Sequence, residues 1–133
     1  MTRRYSLLAA ALLICASCDD VPNVGNPVPP NPEAGRVRLE VTGTSCSGVV
    51  RWDVAGSDNG ILGDAHTFPW TFSMDAQSGD AVALQACNDC DMSGDVTITT
   101  SIFWEGTLID SDTRTGPAGV LCSPSSQVQT TIP

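Results

Sequence analysis

The feature that most constrains this chain is an apolar period of two, repeated in short runs from residue 36 onward. Val37, Leu39 and Val41 alternate with Arg36, Arg38, Glu40 and Thr42. The same spacing joins Val50, Trp52 and Val54, then Phe68, Trp70, Phe72 and Met74, and then Val96, Ile98, Ile102 and Trp104. An extended chain points successive side chains to opposite faces, so each run has one apolar face and one wet face. Turn-forming clusters separate the runs: Gly43-Thr44-Ser45, Ser57-Asp58-Asn59-Gly60, Ser78-Gly79-Asp80, Asn88 to Gly94, Glu105-Gly106 and Thr115-Gly116-Pro117. No stretch holds a 3.6-residue period. About seven or eight short strands predict an all-β fold, a small antiparallel immunoglobulin-like β-sandwich over residues 36–133. On this reading Trp52, Phe68, Trp70, Phe72 and Trp104 belong to the core, and Trp70→Ala is expected to cost roughly 3–5 kcal/mol.

The sequence ahead of that domain has a different character. Arg3 and Arg4 precede an apolar run from Leu7 to Ile14, too short to span a bilayer and suited to a secretory signal. Cys15-Ala16-Ser17-Cys18 resembles a bacterial lipobox, with Cys15 where Leu is usual. The resemblance implies that residues 1–17 are a cleaved lipoprotein signal peptide. It also implies that Cys18 carries a diacylglyceryl thioether whose palmitate-type chains hold the protein to a membrane. Residues 18–35 follow as lipidated Cys and linker, with five Pro between Asp19 and Gly35. Such a stretch favours extended polyproline-like backbone and spans up to roughly 50 Å at ~3.1 Å per residue. The expected location is the cell envelope, on the periplasmic side or at the cell surface.

Charge narrows the partners. The chain has 15 acidic and 6 basic side chains, a net charge of -9, and all six basic residues are Arg. Removing residues 1–17 takes away two Arg and no acid, which moves the balance to -11. A surface with so few cations cannot neutralise a phosphate backbone, so nucleic acid is excluded as a partner.

With Cys15 removed and Cys18 acylated, Cys46, Cys87, Cys90 and Cys122 remain. Four thiols in an exported domain point to two disulfides, with three connectivities open. Counting strands as alternately up and down places all four at one end, with Cys122 opening the last strand. A four-thiolate zinc site is the competing reading, but only Cys87 and Cys90 form a close ligand pair. Between them begins a stretch with oxygen-bearing residues at alternate positions, Asp89, Asp91, Ser93 and Asp95, and Gly94 at the sixth, the spacing of a calcium loop. Its twelfth position is Thr100 where a bidentate Glu would be expected, and an ordinary polar turn accounts for the same residues.

Little in the sequence suggests catalysis. His66 is the single His and has no Ser or Cys near it in a nucleophile motif. Asp110 and Asp112 share one face of a strand, as paired carboxylates must, but twelve acids in the domain produce such pairs by chance. Phosphate loops, nucleophile elbows and cofactor motifs are absent from the sequence, and the expectation is a non-enzymatic protein without a cofactor.

Several segments in order resemble the MmpS family, the mycobacterial membrane proteins small. They are Val37 to Thr44, Phe68-Pro69-Trp70-Thr71-Phe72, Gly79 to Ala86, Val96-Thr97-Ile98, Gly106 and Val120-Leu121-Cys122. The resemblance covers most of residues 36–123. It implies a small extracytoplasmic β-sandwich that is an accessory to RND-type exporters. Two departures stand out: the family is anchored by a transmembrane helix, and it pairs the cysteine matching Cys122 with one where this chain has Thr100. Cys122 must therefore find its partner among Cys46, Cys87 and Cys90. The expected function is that of a membrane-anchored binding or accessory domain assisting such an exporter. The alternative is a structural or surface-coat lipoprotein with no transporter partner.

Overall fold

A computed structural model describes residues 34–133. The proposed signal segment, Cys18 and most of the Pro-rich stretch lie outside the described residues. The domain is a small antiparallel β-sandwich. Its nine strands are β1 (Ala34–Gly43), β2 (Ser47–Val54), β3 (Ser57–Asp58), β4 (Asp64–Thr67), β5 (Trp70–Gln77), β6 (Ala81–Asn88), β7 (Asp95–Trp104), β8 (Thr107–Pro117) and β9 (Ser125–Thr131). One sheet has the order β5-β1-β7-β8, and the other β3-β2-β6-β9 with β4 also paired to β2. β3 and β4 both run antiparallel to β2, as two pieces of one strand interrupted at residues 59–63. That interruption accounts for nine strands where alternation predicts seven or eight.

The alternation of the sequence becomes the inner faces of the sheets. Val37, Leu39 and Val41 of β1 meet Val50 and Val54 of β2, Val82, Leu84 and Ala86 of β6, and Val96, Ile98 and Ile102 of β7, with Val128 and Ile132 closing the layer. All are aliphatic, and the chain's β-branched residues fit a pleated, buried surface. The outer face of the β1-containing sheet is wet. There Thr97 faces Thr115 and Thr99 faces Thr113, with hydroxyl oxygens 2.8 and 2.9 Å apart. A register shift between Ile102 and Phe103 leaves Ile109 as the extra residue of β8, and it packs against the core.

The aromatic residues are the main correction to the expected core. Trp52, Phe68, Trp70, Phe72 and Trp104 are half-buried and pack against the aliphatic layer from its margins. Parity assigns a face, and Trp70 and Phe72 do lie on the inner face of β5. But β5 is an edge strand, and an inward side chain at an edge keeps one side in water.

Strand direction divides the loops between two ends. β1 rises from Ala34, beside Gln77 of β5, to Gly43, opposite Ile98 of β7. The connections 55–56, 78–80 and 105–106 lie at the Ala34 end, and 44–46, 68–69, 89–94 and 118–124 at the other. Ten residues at about 3.3 Å each put these ends roughly 30 Å apart.

Candidate functional site

The end away from Ala34 holds all four cysteines of the domain, as the strand count predicts. They form two disulfides, Cys46–Cys90 and Cys87–Cys122. This resolves the three connectivities and removes the four-thiolate zinc reading, because no thiol is left to ligate. Cys122 does not open the last strand. It lies in the 118–124 connection with φ of 60°, three residues before β9 begins.

Asn88, the last residue of β6, ties these loops together from a fully buried position. Its Oδ1 lies 2.6 Å from the Ser45 hydroxyl and accepts from the Cys90 backbone N–H at 3.2 Å. Its Nδ2 donates to the Cys90 carbonyl at 3.2 Å. Its backbone N–H donates to the Pro124 carbonyl, and its carbonyl accepts from the Cys122 N–H, at 3.1 and 3.0 Å. The side chain and backbone of this one residue thus bridge the 44–46, 89–94 and 118–124 segments. A buried amide is tolerated only when its donors and acceptors are met, and here they are. Opposite it, Gly48 of β2 leaves no room for a side chain. A Cβ there would collide with the Cys87 carbonyl oxygen and come within 2.7 Å of the Phe68 ring. In the sequence Asn88 reads as a turn residue, and nothing in the composition around it marks a hub.

Above this stapled base lies a cleft of about 340 Å³ between residues 88–91 and 119–121. One wall carries the exposed carboxylates of Asp89 and Asp91; the other is Gly119, Val120 and Leu121. Val120 is 55% and Leu121 81% exposed, and Met92 nearby is 41% exposed. The Val120-Leu121-Cys122 segment, part of the family resemblance, is therefore an exposed apolar loop. A second apolar projection, Ile61-Leu62, stands almost fully exposed in the β3–β4 connection. Asn59 fixes that connection by accepting from Trp52 N–H at 2.9 Å and donating to the Val50 carbonyl at 2.8 Å.

The calcium spacing does not close around a cation. Asp89, Asp91, Ser93 and Asp95 all face solvent, Asp95 already within the extended β7. Among the described residues no three His, Cys, Asp or Glu side chains are placed to hold a metal ion. The Cys46–Cys90 bridge and the two bonds of Asn88 to Cys90 hold this segment against the sandwich. Thr100, the twelfth position, is fully buried.

The remaining candidates are structural in their contacts. His66 of β4 packs against Trp70, ring centroids 5.2 Å apart and tilted. Asp110 and Asp112 both face inward on β8, opposite Ile102 and Thr100. Asp112 accepts from Arg114 at 3.0 Å, from the Ser126 hydroxyl at 3.1 Å and from Gln127 N–H at 3.2 Å. The Arg114 hydrogen bond above all holds its carboxyl below the usual carboxylate range, against a smaller opposing effect of burial. Asp110 Oδ1 accepts from Ser111 N–H. The two carboxyls thus have separate local partners. The chain matches no model of a known protein family and no curated protein.

Proposed function

We propose that this protein is a non-enzymatic binding module of the bacterial cell envelope, lipid-anchored through Cys18 on the outer face of a membrane. Its partner, on the reading that the MmpS-like segments suggest, is an RND-type exporter. The observation that carries the proposal is the placement of Val120 and Leu121. These apolar side chains stand in water on a loop fixed by the Cys87–Cys122 bridge, at the end opposite Ala34. A chain tethered ahead of Ala34 would present that end away from the bilayer. Exposed apolar residues on a rigid base are what a partner surface recognises. Two disulfides fit an exported domain, since the cytosol keeps thiols reduced. His66 against Trp70, and Asp112 held by Arg114 and Ser126, supply no free acid–base pair.

The surface-coat alternative draws its support from the net charge of -9, which favours solubility and mutual repulsion of copies. It gives no role to Leu121. The deciding experiment recovers the full chain from mildly solubilised membranes and identifies its N-terminus and companions by mass spectrometry. An acylated Cys18 together with an enriched RND permease is the expected result. Recovery of an acylated protein alone would favour the coat reading, and an unmodified Cys18 would remove the anchor.

A further inference from the structure

Resting on the reading of this end as the presented one, we infer that the cleft between residues 88–91 and 119–121 receives a basic, amphipathic segment of a protein partner. A guanidinium or ammonium group sits at Asp89 and Asp91, and an adjoining aliphatic side chain lies on Val120 and Leu121. The chemistry of the two walls selects this occupant. Asp89 and Asp91 would repel an anionic lipid or a phosphate, and none of the four Arg of the described domain lines the cleft. Arg38 lies over the Phe103 ring at 3.9 Å and Arg114 is paired with Asp112. A bare divalent cation is poorly served, because two exposed carboxylates have no third His, Cys, Asp or Glu ligand beside them. It would also leave the apolar wall wet. An Arg or Lys flanked by Leu, Ile or Val uses both walls at once, its methylene stem along the apolar side and its charge at the acids.

The cleft is also built in advance. Cys90 follows one acid and precedes the other, and is bridged to Cys46; Cys122 follows Leu121 and is bridged to Cys87. Asn88 binds Cys90 and Cys122 from the floor. Both walls therefore hold their spacing before a partner arrives, which lowers the ordering cost of association.

The test uses the full chain, purified in mild detergent from whichever cell fraction contains it. The probes are fluorescein-labelled hexapeptides: alternating Leu-Arg, alternating Leu-Glu, and hexa-arginine, each followed by anisotropy at about 0.15 M salt, where long-range attraction is screened. The expected result is saturable binding of the Leu-Arg peptide, weaker binding of hexa-arginine and none of the Leu-Glu peptide. Leu121→Ser, and Asp89→Asn with Asp91→Asn, each weaken the Leu-Arg peptide at least about tenfold. Asp64→Asn with Asp75→Asn, which removes the same charge elsewhere, changes it by less than about twofold. All these positions are exposed, so each variant should retain the wild-type melting curve. Equal binding of hexa-arginine and the Leu-Arg peptide, unmoved by Leu121→Ser, would overturn the inference, as would no binding at all. Either result with Cys18 acylated sinks the cleft assignment alone; specific peptide binding by a protein that is not acylated sinks the anchored reading alone.

Discussion

The two long flanks of the sandwich, where the space between the sheets meets water, are closed in opposite ways. On one flank β5 faces β2, and the closure is aromatic: Trp52 stacks on Phe72 with ring centroids 4.6 Å apart, and Trp70 lies over Phe72 at 6.2 Å. On the other flank β8 faces β9, and the closure is a hydrogen-bonded chain. The Thr100 and Ser126 hydroxyl oxygens lie 2.8 Å apart, and Ser126 reaches the Asp112 carbonyl at 2.8 Å and its carboxylate at 3.1 Å. The rings fill the gap largely through apolar contact. The polar chain is directional and fixes how β9 sits against β7 and β8. Register places Asp110, Asp112 and Arg114 on the inner side of this edge strand, and inward charges discourage a foreign strand from pairing there. β5 has no inward charge, so its edge relies on Trp70, Phe72 and Met74 being sheltered by the opposite sheet.

The largest expected effect breaks the aromatic flank. Trp52→Ala removes the ring that joins the two sheets there and should cost about 3 kcal/mol, at the low end for a Trp truncation because the side chain is half-buried. Trp70→Ala, whose ring lies further along the stack, should cost about half as much, below the range for a buried core Trp. Urea unfolding followed by far-UV circular dichroism measures both, with the midpoint moving and the slope unchanged. A Trp52→Ala midpoint equal to wild type would mean that the aliphatic layer alone holds the sheets together.

The next largest tests the polar flank. Ser126→Ala strands the Thr100 hydroxyl in a fully buried position and should cost about 2 kcal/mol. Thr100→Val leaves the Ser126 hydroxyl its bonds to Asp112 and should cost less, and adding it to Ser126→Ala should cost clearly less than the sum of the two single changes, since position 100 then carries no buried hydroxyl without a partner. Additive costs in the same urea measurement would show that the two hydroxyls do not act as a unit.

The difference between the flanks also explains what was legible in the sequence. Alternation gave the sheet faces of Val37, Leu39, Val41, Val96 and Ile98 directly, because period two is a property of local backbone. Counting strand reversals sufficed to gather Cys46, Cys87, Cys90 and Cys122 at one end, because that count holds whichever sheet a strand joins. Neither signal says which strand is an edge. For that reason the rings of β5 looked like core residues and proved half-wet. Thr100 read as a missing calcium ligand, although its oxygen is used by Ser126, 26 positions away. Asn88 was hidden for the same reason: its partners Ser45 and Pro124 are near it only once the loops of three strand pairs converge. Leu121 was masked by its neighbours, since an apolar pair before a Cys resembles the start of a strand.

The smallest effect separates the flanks by pH. Asp112 titrates below its ordinary value of 3.8 in the folded protein because Arg114, Gln127 and Ser126 all donate to it. A carboxylate lowered by folding contributes stability that is present above its unfolded pKa, near 3.9, and is lost as pH falls through the folded value. The melting temperature should therefore drop more steeply below about pH 4 for the wild type than for Asp112→Asn, while the two curves run parallel between about pH 5 and 7. The difference should be modest, because the Asp112–Arg114 pair is partly exposed, with side-chain accessibilities of 22% and 62%, and water screens it. No ionisable group takes part in the ring contacts between Trp52 and Phe72, so Trp52→Ala should lower the whole curve without changing its acid slope. If Asp112→Asn leaves that slope intact, the acid sensitivity belongs to the other carboxylates of the domain, and the polar flank is held by the Thr100 and Ser126 hydroxyls alone.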